Sequence, residues 1–177
     1  ATLDVLPPPA PPILFKQFSP NPLLDPSGST TLTFQITNAD PALDISSVAF
    51  SDPLPVGMQP VIPLDITDNG ACGGAYSLTW NGGAGELILS GGAIAAGAVC
   101  VVSIQVEVPG VDVSGGPVTF ANQTGVVSHV FNGTTYEGND AEATLVVDNP
   151  IPGVALLKEV GLGSDPDGAW SGYLAIE

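Results

Sequence analysis

From residue 13 to residue 147 the chain keeps to one pattern. Short runs rich in Val, Ile, Thr and Phe, many alternating apolar with polar positions, are broken by clusters of Gly, Pro, Asn and Asp. A side-chain period of two marks a strand that buries one face, and the breakers supply turns. Eight runs are expected to be strands: residues 13–18, 30–38, 46–51, 76–80, 86–90, 99–108, 118–130 and 142–147. Turns are expected at 26–28, 52–57, 69–74, 81–85 and 91–97, where glycines supply the positive φ that tight turns require. No segment carries a convincing helical period. Strands so short and so regularly spaced each need a second sheet over their apolar face, which predicts an all-β antiparallel sandwich.

The two ends depart from this pattern. Residues 1–12 contain LPPPAPP, the composition of a stiff polyproline spacer, and read as a linker or an interface arm. Residues 13–149 read as the domain. The PIPG break then introduces residues 150–177, with two further apolar stretches at 155–160 and 173–176. That segment is too short to build a core. It is expected to lean on this domain, on a neighbouring molecule or on a continuation of the chain. Ala1 in place of Met fits a processed or excised product.

Charge narrows the function. Only 11% of the 177 residues are charged, 18 acidic against 2 Lys, for a net charge of -16. A nucleic-acid or anionic-lipid partner needs cations set against phosphates, so neither is expected. The longest apolar stretch, residues 93–104, is too short to span a bilayer, and no membrane insertion is expected.

Both lysines sit in one setting, ILFKQF and ALLKEV, each after a Pro-rich break, forming a short internal repeat. Period two places Lys16 on one face with Leu14 and Phe18, and Lys158 on one face with Leu156 and Val160. Two readings are open. Each lysine points into a core, where its ammonium must be paired or lose its proton, or it guards a strand edge or snorkels to water.

The segments FKQFSP, GSTTLTFQITN, VAFSDPLPVGM, CGGAY, AGAVCVVSIQVEV and VTFANQTGVV, in that order, span most of residues 13–147. In them the chain resembles the Ig-like conserved repeat domains of bacterial surface proteins, which are related to collagen-adhesin modules. The resemblance implies an Ig-like β-sandwich, a secreted protein at the extracellular cell surface, tandem repetition and no catalysis on substrates. It also implies a covalent isopeptide bond from a first-strand lysine to a late-strand asparagine, assisted by an acid. The matching positions are Lys16, Asp52 and Asn122. The plain alternative is that Asp52 opens an Asp-Pro turn and Asn122 bonds backbone. Lys158 has no assignable Asp and Asn partners and resembles the first strand of a further repeat.

Cys72 and Cys100, 28 residues apart beside predicted strands, lack zinc-ligand spacing and are expected to form a disulfide. His129 has no GxSxG or comparable nucleophile motif near it and is expected at the surface. In SDPDGAW, Asp165 and Asp167 are candidate calcium ligands, although the EF-hand spacing with its final Glu is missing. No other cofactor is expected. Asn122 and Asn132 both open N-glycosylation sequons.

These features together predict a non-enzymatic building block of a prokaryotic surface fibre. Its partners would be copies of itself or neighbouring repeats, joined head-to-tail by strand addition or strung as a stalk. The alternative is an adhesin module gripping a carbohydrate or protein ligand through Tyr76, Trp80, Trp170 or Tyr173.

Overall fold

The computed structural model describes residues 7–149, and twelve strands form among them. They are β1 (Ile13–Ser19), β2 (Ser29–Thr37), β3 (Ile45–Pro53), β4 (Gln59–Pro60), β5 (Thr67–Asp68), β6 (Ser77–Asn81), β7 (Glu86–Ile94), β8 (Val99–Glu107), β9 (Val118–Gln123), β10 (Ser128–Phe131), β11 (Thr134–Glu137) and β12 (Glu142–Val147). One sheet has the order β1-β2-β8-β4, with β5 also on β8. The second has the order β11-β10-β3-β7-β6, and β12 and β9 form a separate antiparallel ladder. The fold is the expected all-β antiparallel sandwich.

Alternation along the strands builds the core. Leu14 and Phe18 of β1, Leu32, Phe34 and Ile36 of β2, and Val102, Ile104 and Val106 of β8 turn inward from the first sheet. Val48 and Phe50 of β3 with Leu87, Leu89 and Ile94 of β7 come from the second. The sheets meet at Phe34 and Phe50, whose ring centroids lie 4.9 Å apart. Each such side chain, fully buried, contributes about 1.5–3 kcal/mol.

Several strand boundaries differ from the sequence expectation. The run 118–130 is two strands on different ladders, because the chain crosses to β3 at Gly125, whose N–H donates to Ser51 O at 2.8 Å. Gly125 suits the crossing: a Cβ there would lie 3.2 Å from Ser51 Oγ. β7 runs on through Gly91 to Ile94 by register shifts against β3. β3 extends past residue 51, so Asp52 and Pro53 pair with Leu87 and Glu86 rather than opening the turn. β4, β5 and β11 are additional.

The final strand sets the geometry of the chain ends. β12 runs beside β1 and its continuation in the same direction, held at three levels. Asn139 exchanges two hydrogen bonds of 2.8 Å with the backbone of Leu14. The Asn21 side chain donates to Thr144 O at 2.7 Å and accepts from Val146 N–H at 2.9 Å. Leu23 N–H donates to Val146 O, Asp148 N–H donates to Leu23 O, and Leu23 and Val147 form a parallel bridge. Because the two segments are parallel, the chain enters the domain at one end, beside Leu14, and leaves at the other, beside Leu23. Before β1, Ala10 N–H donates to Asp40 Oδ2 at 3.2 Å, and Pro9 and Pro12 are buried.

Candidate functional site

Strand alternation forces Lys16 inward. It lies between Leu14 and Phe18 on the buried face of β1, opposite Phe34 of β2, and is 2% exposed. Asp52 follows Phe50 on the inner face of β3 at 0% exposure, and Asn122 is the one buried position of β9, at 1%. Three strands from three ladders thus bring together the three residues singled out in the sequence.

Their contacts converge on one atom. Lys16 Nζ donates to Asp52 Oδ1 at 2.9 Å, and Asn122 Nδ2 donates to the same Oδ1 at 2.8 Å and to Pro53 O at 2.9 Å. Asp52 Oδ2 and Asn122 Oδ1 are buried without a hydrogen-bond partner. Burial dominates the electrostatics. It lowers the affinity of the Lys16 amine for its proton, against the opposing pull of the Asp52 charge, and raises that of the Asp52 carboxyl, against the pull of Lys16 and Asn122. The dry site therefore favours a neutral amine beside a protonated acid more than water would. A neutral amine is a nucleophile, and a protonated carboxyl can polarise an amide carbonyl.

The other candidates separate. Cys72 and Cys100 form the disulfide, between the loop before β6 and β8. His129 is a correction: it is wholly buried on β10, stacked on Tyr136 with centroids 5.5 Å apart, and neither ring nitrogen has a partner. Desolvation lowers its pKa. Of the proposed stacking surface, Tyr76 and Trp80 pack partly buried against the core, and Tyr76 donates to Asp68 Oδ2 at 2.6 Å, which with burial pushes its pKa up to about 12. Asn132 is exposed at the tip of the β10–β11 hairpin with φ 49°, whereas Asn122 is enclosed. Lys158, Leu156, Val160, Asp165, Asp167, Trp170 and Tyr173 lie outside the described residues. Among the described residues no cluster of three or more His, Cys, Asp or Glu has the arrangement to hold a metal ion, and no helix is long and apolar enough to cross a membrane.

Residues 12–147 match a family described as a domain of unknown function, DUF7933. The chain belongs to the DUF7933 family. No curated protein matches this DUF7933 chain in sequence. Solved structures share its fold at low identity. The major pilin subunit BcpA of Bacillus cereus is similar at 12% identity and TM-score 0.55, over 78% of the DUF7933 chain and 40% of the pilin. The major pilin SpaD of Corynebacterium diphtheriae is similar at 11% identity and TM-score 0.50, over 76% and 34%. A chain of a type I cohesin–dockerin complex from Clostridium thermocellum is similar at 8% identity and TM-score 0.54, over 83% and 100%. The DUF7933 chain thus spans less than half the length of either pilin.

Proposed function

We propose that this domain is a non-enzymatic structural module of an extracellular surface fibre or stalk, locked internally by an isopeptide bond between Lys16 and Asn122. The observation that carries the reading is the convergence of the Lys16 amine and the Asn122 amide nitrogen on one oxygen of a buried Asp52. In the reaction, neutral Lys16 Nζ attacks Asn122 Cγ while Asp52, whose Oδ1 meets both Nζ and the Asn122 amide nitrogen, carries the proton between them. The Nζ–Cγ bond forms and the Cγ–Nδ2 bond breaks. A proton from Nζ passes through Asp52 to the departing nitrogen, and ammonia leaves. Pro53 O, already bonded to Nδ2, holds the leaving group in place. The acid is returned unchanged and the reaction occurs once per chain, so no external substrate is involved.

A fibre role draws support from the chain ends, which leave the domain on opposite sides along β1 and β12. Modules joined end to end in this way extend rather than close on themselves. The pilin likeness supports the same reading. Strand addition or tandem linkage through residues 150–177, which carry the second lysine segment, would supply the joint. The test is the intact mass of the purified chain. The reading expects a mass lower by one ammonia, about 17 Da, and a proteolytic peptide joining Lys16 to Asn122. A full unreacted mass would overturn it.

A further inference from the structure

The proposed bond does not tie the first strand to the last. Asn122 lies on β9, and β10, β11 and β12 come after it in the chain. With Lys16 joined to Asn122, the shortest covalent route from Ile13 to Val147 runs along β1 to Lys16, across the bond, and then through residues 123–147. Everything between Lys16 and Asn122 becomes a closed loop that tension cannot lengthen. Among the described residues, the chain beyond Asn122 is held by non-covalent contacts alone.

Those contacts are arranged to resist and then to yield. Tension drawn through the chain ends pulls Val147 along the axis of β12, away from the end where Ile13 enters. β12 is parallel to the Asn21–Leu23 stretch on one side and antiparallel to β9 on the other, so both sets of hydrogen bonds are sheared together rather than peeled singly. Leu23, Val146, Asp148 and both amide atoms of Asn21 form one such set. Asn139 on Leu14 and the Thr124–Ala141 pair, joined by backbone and side-chain hydrogen bonds of 2.9 Å, form a second line behind it.

Resting on the cross-link reading, we propose that the domain has a second, mechanical function as a tension buffer. Residues 123–147 are a releasable segment that lengthens by a fixed amount under load and then stops. Twenty-five residues extend to about 80–90 Å at roughly 3.3–3.6 Å each. Asn122 is the register partner of Ala143, so in the folded state it lies only about four residues, roughly 13 Å, from the level of Val147. The gain on release is therefore about 70 Å. Rejoining needs β10 to pair again with β3 and β12 with β9; β3, and β9 as far as Asn122, stay inside the covalently closed loop, so the segment re-forms when tension falls.

The experiment is single-molecule stretching of the full chain held by its two ends, with the intact mass of the same preparation measured beforehand. The proposal expects one reversible step of about 70 Å in cross-linked protein. It also expects Asn21→Ala to lower the release force with no change in step length, a result that a merely structural asparagine elsewhere would not give. Cross-linked protein that shows no step before the tether fails overturns the buffer and leaves the bond standing. A step beyond about 300 Å, with the mass unreacted, overturns both, because the chain can then unravel everywhere outside the disulfide loop.

Discussion

Replacing the polar triad's charged pair with apolar side chains gives opposite signs under the two chemical states of the site. Consider Lys16→Met combined with Asp52→Leu, in which Met matches Lys in volume and Leu keeps the forked shape of Asp at somewhat greater bulk, and which leaves Asn122 bonded to Pro53 O. If Lys16 and Asp52 are an unreacted buried pair, the substitution removes two desolvated charges and an orphaned Oδ2. Such exchanges are commonly neutral or stabilising, by about 1–4 kcal/mol. If Lys16 is joined to Asn122, the substitution also abolishes a cross-link that closes a loop of on the order of 100 residues. The unfolded-chain entropy of that loop corresponds to about 4.7 kcal/mol. The expected net change is then a loss of about 1–4 kcal/mol, since the closure entropy exceeds the desolvation relief. At roughly 2–4 °C per kcal/mol for a domain of this size, the melting temperature falls by about 2–16 °C. The assay is thermal unfolding of the parent and the double variant, each with its intact mass. A double variant that melts above the parent would refute the reasoning, and the parent's mass would show that the bond had never formed.

Three further outcomes are expected. His129 is buried with both nitrogens unpartnered, and its folded pKa is depressed, so the unfolded chain takes up the proton first. Stability should therefore fall as pH drops below about 6.5, by up to about 1.4 kcal/mol per unit, and His129→Phe should flatten that dependence in urea melts at pH 7.5 and 5.0. A parent with the same midpoint at both pH values would count against it. Reduction of Cys72–Cys100, or their joint replacement by Ala, should cost about 3–4 kcal/mol, and an unchanged midpoint in guanidinium would contradict this. Gly138 has no room for a methyl group, since a Cβ there would collide with Pro12 O, so Gly138→Ala should cost about 1–3 kcal/mol and loosen the start of β1, read as faster amide exchange at Leu14.

Lys16 is half legible in the sequence: period two puts it on one face with Leu14 and Phe18, but Ile13 and Phe15 make the other face apolar too, and only packing decides which face is inward. Asp52 is harder. Asp-Pro is ordinarily a turn signal, and here backbone pairing with Leu87 and Glu86 of β7 keeps it in the strand while the Asp52 side chain meets Lys16 and Asn122. Those pairings are tertiary, so local propensity does not register them. Asn122 is reached through resemblance to a family and not through any spacing. His129 escapes for another reason. Val126, Val127, Val130 and Phe131 surround it with apolar residues on both phases of the alternation, so the run does not reveal which face is inward. The break at Gly125 is hidden in the same run. β4 and β5, two residues each, carry no period at all and exist only because β8 offers them an edge.

The enclosure of Lys16 also governs how copies of this domain meet in solution. Among the described residues Lys16 and His129 are the only basic side chains, and both are buried. The solvent-facing side chains of the described domain are thus neutral or anionic, with no partner for a surface ion pair. Two copies at arm's length repel. Ions soften that repulsion over a screening length of about 10 Å at 0.1 M salt, and divalent ions do so more strongly. Side-by-side approach of two described domains is therefore opposed less at high ionic strength than at low. The head-to-tail contact of the proposed fibre, made through strands and linkers, would not need opposite charges.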